Sequence, residues 1–152
     1  MAGARYAANG DQNLTTTRST ALSVTANATT GHRLWVYEFY CGIEGTPADL
    51  AGTMLVERCT APGTHTAVTP GLIDSADRAS QAVAGENATV EPTYTANEIM
   101  AEVPLNHRGT YRWVAPPGGE LVGPATATDG FGGNSLHASA VTLFRFGMYW
   151  IE

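Results

Sequence analysis

The chain has 152 residues, of which 43% are apolar and only 14% are charged, and its formal net charge at pH 7 is −6. This length and apolar content predict one domain with its own hydrophobic core and argue against disorder, because disordered chains are rich in charge and poor in apolar residues. The negative charge also argues against nucleic acid as a partner, since phosphate binding requires a basic surface.

The first nineteen residues show no clean apolar period, so they predict an extended arm over 1–19 ahead of a β-sandwich domain over 20–152. Residues 1–33 carry a net charge of +2, whereas residues 34–152 carry −8. The arm is either a basic segment that docks on an acidic neighbouring surface or a chance grouping of few charges. We find neither a signal peptide after Arg5 nor the roughly 18 consecutive apolar residues of a membrane span, so we expect a soluble protein made in the cytoplasm, with no membrane partner.

Clusters of Gly and Pro recur along the rest of the chain, and the runs between them have strand length and are rich in Val, Thr and aromatic residues. Segment 74–84 alone has a helical pattern, with Asp74 or Ser75 as its N-cap. The chain does not alternate strands with long helices, so we predict an all-β fold, an antiparallel β-sandwich or jelly roll. About eight strands are expected, over 20–27, 32–41, 53–59, 88–91, 98–104, 110–115, 120–122 and 135–147, the last running on into 148–151.

The two cysteines lie in neighbouring strand segments, 33–41 and 53–59, which we expect to pair as a hairpin. In that hairpin Cys41 and Cys59 are roughly 20 Å apart along the ladder, whereas a disulfide tolerates Cα separations of about 4.4–6.8 Å. The sequence therefore predicts two free, buried thiols. Further along, the glycines of 130–134 predict a mobile loop, and Gly147 predicts a bulge or kink in the last strand.

Residue types that carry catalysis or bind metals are scattered along the chain. No Gly-x-Ser-x-Gly nucleophile elbow occurs, and all eight basic residues are Arg, which excludes Schiff-base chemistry and a phosphate-loop Lys. We therefore expect no catalytic site, cofactor or metal, although one sequence does not exclude two acids from different strands meeting in a cleft. The histidines show no metal-ligand spacing; they are His32, His65, His107 and His137.

Four segments occur in a distinctive order: RLWVYEFYCGIEGT, MLVERC, a Thr- and Ala-rich loop ending in Glu91, Pro92 and Thr93, and RWVAPPGGELV, before a last long strand. In this order the chain resembles the small β-sandwich virion proteins of tailed bacteriophages, among which are capsid decoration (cement) proteins. The resemblance covers residues 20–152. It implies a non-enzymatic virion structural protein that binds the major capsid protein on the outer capsid surface, stabilises contacts between capsomers and self-associates as a homotrimer or dimer. Related small phage proteins with this layout also occur in tails and adaptors.

The interface hypothesis uses residues that the pattern leaves outside the core strands or that fit core and contact positions equally well. We expect the arm, the loops 116–119 and 130–134 and two tryptophans to contact the capsid or a second subunit, through Arg5, Tyr6, Arg18, Trp113, Pro116, Pro117, Phe131 and Trp150. Trp35, by contrast, is expected in the core. Deletion of residues 2–19 is expected to abolish capsid binding and to leave the sandwich folded.

Two other functions stay open. One is a receptor- or glycan-binding module of a tail or spike, which needs exposed coplanar aromatic residues or a polar groove. The other is a small β-sandwich hydrolase or lectin-like enzyme, which needs two acids converging in a cleft.

Overall fold

The structure, a computed structural model, describes residues 3–137 and 141–152, and within these ranges every regular element is a β-strand. No helix in this part of the chain has the length and hydrophobicity needed to cross a membrane. The strands are β1 (Arg5–Leu14), β2 (Ser19–Thr25), β3 (Leu34–Ile43), β4 (Ala51–Ala61), β5 (Thr64–Val68), β6 (Gly71–Leu72), β7 (Val83–Val90), β8 (Thr93–Asn106), β9 (Tyr111–Val114), β10 (Leu121–Gly123), β11 (Gly130–His137) and β12 (Val141–Ile151).

The strands form two six-stranded sheets in which every pairing is antiparallel. Sheet A has the order β10–β3–β12–β1–β6, with β9 paired to a second part of β3, and sheet B has the order β5–β7–β2–β11–β4–β8. The all-β antiparallel sandwich is therefore confirmed, with twelve strands among the described residues where about eight were predicted. The jelly-roll connection pattern in particular stays a prediction.

The core lies between the two sheets and is dominated by aromatic rings from sheet A. Phe39 of β3 stacks on Trp113 of β9, with ring centroids 4.9 Å apart, and on Phe146 of β12, at 5.9 Å. Large rings remove the most apolar area from water, so their burial supplies much of the stabilisation of the fold. Sheet B contributes mainly aliphatic side chains, among them Leu22, Val24, Met54 and Val56.

The predicted N-terminal arm is wrong, because residues 5–14 form β1, which pairs with β12 along its whole length. Inward positions of β1 hold Tyr6, Ala8 and Gly10, so the apolar period is weak in the sequence. A side chain at Gly10 would lie 2.3 Å from the backbone oxygen of Ala21, so this position requires glycine. The boundary predicted after residue 19 therefore falls inside the sandwich.

The predicted hairpin between 33–41 and 53–59 is also wrong, because β3 lies in sheet A and β4 in sheet B. Local sequence marks both segments as strands but does not say which sheet each one joins. The two free, buried cysteines are nevertheless confirmed. Burial raises the pKa of the Cys41 thiol to about 12, and burial likewise raises that of Cys59 to about 12.

We expect both thiols to be inert in the folded protein. The thiolate is the reactive form, so at pH 8 a pKa of about 12 in place of 9.0 slows reaction with Ellman's reagent roughly a thousandfold. Titration should release no thiol equivalents from the native protein and two after unfolding in guanidinium chloride. Rapid labelling of either cysteine in the native state would show that the core opens locally.

The segment predicted to be helical, 74–84, contains turns and the beginning of β7. The Asp74 side chain caps a turn by accepting a backbone hydrogen bond of 2.9 Å from a residue two positions further on. The backbone N–H groups of Gln81 and Ala82 donate to the Glu152 carboxylate at 2.9 and 3.1 Å. The Glu152 side chain thus accepts from backbone N–H groups that would bond to backbone oxygens if the segment were a helix.

The strand predicted over 135–147 is divided between β11 in sheet B and β12 in sheet A, and residues 138–140 lie outside the described residues. The mobile loop predicted over 130–134 is wrong, because these residues form the centre of sheet B between β2 and β4. Glycine there reflects close packing between the sheets: a Cβ at Gly133 would lie 2.4 Å from the Phe146 ring.

Candidate functional site

Three of the predicted interface residues lie in the core. Tyr6, Phe131 and Trp150 have no exposed surface, so their prediction as contacts with a partner is wrong. Trp150 is buried by the chain itself, since Tyr6 of β1 packs on its ring at 5.9 Å and its Nε1 donates to the Glu152 carboxylate at 3.1 Å. The Tyr6 hydroxyl donates to a backbone oxygen in the loop before β7 at 2.9 Å.

Arg18 lies over a buried polar cluster on sheet B. Its guanidinium is 3.0 Å from the Glu57 carboxylate and 4.8 Å from the centroid of the Tyr94 ring. The Glu57 side chain is 4% exposed and also accepts a hydrogen bond of 2.7 Å from the Asn134 amide. Arg18 therefore compensates a buried negative charge, which gives it a structural role. Its contact with a partner stays a prediction.

The other four predicted residues keep exposed surface: Arg5, Trp113, Pro116 and Pro117. Trp113 is half-buried by its stacking on the core, whereas the two prolines are exposed in the turn between β9 and β10. This turn begins beside β3, because the Ala115 backbone N–H donates to the Tyr37 backbone oxygen at 2.8 Å. Arg5 lies close enough to Tyr37 to affect its pKa. Arg5 and the start of the Pro116–Pro117 turn thus both lie near Tyr37.

Tyr37 belongs to a cluster of three tyrosines on the outer surface of sheet A, which we call the tyrosine face: Tyr37, Tyr40 and Tyr149. The Tyr149 ring lies between the other two, with centroids 6.2 Å from Tyr37 and 6.3 Å from Tyr40. All three rings are partly exposed, and their planes are tilted by 50° and 46°. The arrangement is a contiguous aromatic surface that is not a flat platform.

A β-bulge in β3 places Tyr37 and Tyr40 on the same outward face. Tyr149 and Trp150 are consecutive in β12, but they pair with Glu38 and Val36, so Tyr37 is the extra residue. The extra residue reverses the alternation, and the inward positions change from Leu34 and Val36 to Phe39 and Cys41. Unbroken alternation along 32–41 would put Trp35, Tyr37, Phe39 and Cys41 on one face of the strand. Trp35, which was expected in the core, is instead half-buried on the face opposite Leu34 and Val36.

Gly147 of β12 supports the tyrosine face. A Cβ at Gly147 would lie 2.4 Å from the Tyr40 ring, so glycine lets this ring lie flat on the strand. The Tyr40 hydroxyl donates to the Asn9 side chain of β1 at 2.6 Å, which fixes the ring across three strands. The pairing of β12 with β1 and β3 is regular at Gly147, so this residue is not a bulge, and the irregularity in the pairing with β3 lies two residues further on.

Arginine–carboxylate pairs surround the tyrosines. The Nε of Arg112 lies 2.7 Å from Glu38, and Arg145 pairs with Glu44 and, at 3.2 Å, with Asp11. Burial raises the pKa of Tyr37, while the Arg5 charge lowers it in part, and burial also raises the pKa of Tyr40. The phenols of Tyr37 and Tyr40 are therefore neutral hydrogen-bonding groups at pH 7, in a surface whose charges are largely balanced.

An open cleft of about 490 Å³ adjoins the tyrosine face where β3 meets β9. Its wall is mostly apolar, and charged groups stand at its rim. A cleft of this size admits a large apolar side chain of a partner. The lining residues are Tyr40, Cys41, Gly42, Ile43, Glu44, Thr110, Tyr111, Arg112 and Arg145.

No protein-family model and no curated protein matches this chain. Among residues 3–137 and 141–152, no three His, Cys, Asp or Glu side chains are grouped so that they could hold a metal ion. The candidate functional site is therefore defined by its geometry: neutral phenols, balanced ion pairs and an apolar cleft on one sheet surface. These groups can contact a partner through apolar area and hydrogen bonds.

Proposed function

We propose that this chain is a non-enzymatic structural protein of a bacteriophage virion, a capsid decoration protein made in the host cytoplasm. It binds the major capsid protein on the outer capsid surface through the tyrosine face and self-associates as a homo-oligomer. The tyrosine face is the observation that carries the proposal, and the resemblance of residues 20–152 supplies the class of partner.

The chemistry of the tyrosine face supports a protein partner. Tyrosine and arginine are enriched at the centres of interfaces. A tyrosine ring buries a large area with little loss of conformational freedom and still donates a hydrogen bond, whereas arginine contributes several donors. Arg112 and Arg145 already have carboxylate partners, so a protein that covers them does not have to neutralise them. The neighbouring cleft provides a pocket for an apolar anchor.

A glycan-binding module is the second candidate, because exposed tyrosines also contact sugars. Against it stands the tilt of 50° and 46° between neighbouring rings, since a sugar ring stacks best on a flat aromatic surface. The two candidates use the same residues and differ in the partner.

Binding to capsids tests the proposal. The probe is capsids of the virus whose genome encodes this chain, prepared without the protein and sedimented with it. We expect the double variant Tyr37→Ser/Tyr149→Ser to bind at least roughly 100-fold more weakly, since two central aromatic contacts are lost. Its melting temperature should change little, because both rings lie outside the core.

The matched control is Val90→Ser, which removes a side chain that is 59% exposed on sheet B. It should bind capsids as the wild type does. Unchanged binding by the double variant, or no binding by the wild type, would overturn the assignment. Loss of a signal on a glycan array, with capsid binding intact, would favour the second candidate. Light scattering of the free protein should show a trimer or dimer, and a monomer at all concentrations would contradict self-association.

A further inference from the structure

Two histidines outside the tyrosine face form a hydrogen-bonded pair at one end of sheet B. His107 Nε2 lies 2.6 Å from His137 Nδ1, and the ring centroids are 4.5 Å apart. His107 is 2% exposed. The His137 ring lies flat on β4, since a Cβ at Gly52 would be 2.1 Å from its Nδ1.

The pair joins two connections between the sheets to the end of β11. His107 is in the turn from β8 of sheet B to β9 of sheet A, and His137 ends β11, after which the chain continues to β12 of sheet A. The connection from β3 to β4 is tied to the same turn. The His107 backbone N–H donates to the Leu50 backbone oxygen at 2.9 Å, and the Asn106 side-chain amide donates to the Asp49 carboxylate at 2.7 Å.

The surroundings disfavour a proton on either ring. Burial lowers the pKa of His107, and burial, followed by the effect of His107, lowers the pKa of His137 to about 4. Residues 138–140, outside the described residues, are Ala, Ser and Ala and carry no titratable group. The charged residues of the described segments around the pair are all exposed, and none of them contributes to these shifts: Glu44, Asp49, Glu102 and Arg108.

Protonation acts on the pair in two steps. In the neutral pair one ring donates its N–H and the other accepts it. The first added proton leaves this bond in place but puts a positive charge in a buried site without a facing carboxylate. The second proton converts both facing nitrogens into donors, so the hydrogen bond is lost and the rings repel each other.

We propose that the His107–His137 pair is an acid-sensitive latch. While it is neutral it holds the β8–β9 turn and the β3–β4 connection against the end of β11, and protonation opens this end of the sandwich while the far end stays folded. This inference is independent of the proposed function, because it uses no residue of the tyrosine face and no partner.

Hydrogen exchange tests the latch locally. At pH 5 we expect the protection of the His107 amide, corrected for intrinsic exchange, to be about tenfold lower than at pH 7, because an unfolded-like imidazole binds protons more readily than the buried one. The Glu152 amide, bonded to Ala4 at 3.0 Å beyond the far end of β12, is the internal reference and should keep its protection. Equal loss at both amides, or no loss at either, would overturn the proposal.

A non-titrating pair supplies the second arm. In His107→Gln/His137→Asn the two side-chain amides retain a neutral donor and acceptor near the positions of the ring nitrogens, so the pH response of the His107-turn amides should disappear. His65→Gln on β5 is the matched control and should respond as the wild type does. A double variant with the wild-type response would contradict the latch.

Direct titration of the wild type by NMR keeps the test valid if the double variant does not fold. The His137 ring protons should titrate near pH 4. A midpoint at or above 6.5, the ordinary value, would overturn the proposal.

Discussion

Deletion of residues 2–14 is expected to unfold the protein. It removes β1, which pairs with β12 over its whole length, and it removes Tyr6, which is fully buried against Trp150. The loss exposes one side of the core and leaves a row of unpaired backbone groups along β12. Domains of this size are stable by only about 5–15 kcal/mol, so the truncated chain should show no cooperative transition. Circular dichroism during heating checks this.

Single substitutions in β1 show whether the lost core contacts, rather than the shortening of the chain, cause the unfolding. Tyr6→Ala should lower the free energy of unfolding by about 3–5 kcal/mol, because it leaves a large cavity beside Trp150. Tyr6→Phe should cost about 1 kcal/mol, since it removes only the hydroxyl that donates to the loop before β7. Arg5→Ala, on the exposed side of the same strand, is the control and should be nearly neutral. A truncated protein that melts cooperatively near the wild-type temperature would contradict the assignment of β1 to the core.

The sequence predicted the strands whose inward positions carry large apolar side chains. The segments 20–27, 32–41 and 53–59 correspond to β2, β3 and β4, within a few residues at each end. It missed β1 and mistook the start of β11 for a loop, because their inward positions include small residues. No side chain fits at Gly10, because a backbone oxygen occupies the space, or at Gly133, because the Phe146 ring does. Such a pattern is typical of loops until the opposite sheet is known.

The candidate site was only partly predictable for a related reason. Arg5, Pro116 and Pro117 were expected at an interface. Arg5 lies near Tyr37, and the two prolines follow Ala115, whose N–H donates to the Tyr37 backbone oxygen. The tyrosine cluster was missed, because one extra residue in β3 reverses the alternation of inward and outward side chains along the strand. A bulge of this kind is set by pairing with β12, which lies a hundred residues away in sequence. Tyrosine rather than phenylalanine at positions 37, 40 and 149 was the available signal.

Substitution of Glu152 by alanine is expected to lower the free energy of unfolding by about 3 kcal/mol and the melting temperature by about 6–12 °C. The Glu152 side chain is 1% exposed and joins the last strand to the segment before β7. Its carboxylate accepts hydrogen bonds of 2.5 Å from the Ser80 hydroxyl, 2.9 and 3.1 Å from two backbone N–H groups and 3.1 Å from Trp150. Alanine leaves all of these donors without an acceptor. Thermal and urea denaturation measure the loss.

The pH dependence of stability identifies the charge as the cause. Burial alone raises the pKa of Glu152, but the hydrogen bonds from Ser80, Gln81, Trp150 and Ala82 outweigh it and leave the pKa below its ordinary value of 4.5. A carboxyl group with a lowered pKa in the folded state stabilises the protein above its unfolded pKa, and this contribution is lost as the pH falls through the folded value. The stability difference between wild type and Glu152→Gln should therefore be constant at neutral pH and shrink below about pH 4.5.

This window separates Glu152 from the histidine pair. The destabilisation from His137 begins below pH 6.5, the ordinary value, and is complete near the folded pKa of about 4. Between pH 6.5 and 5 the wild type and Glu152→Gln should therefore lose stability in parallel, and the His107→Gln/His137→Asn variant should lose less. Below pH 4.5 the wild type and the double histidine variant should both lose further stability as the Glu152 carboxyl group is protonated. Only Glu152→Gln should escape this loss. If Glu152→Gln followed the wild type over the whole range, the ionised carboxylate would not be what holds the segment before β7 to the last strand.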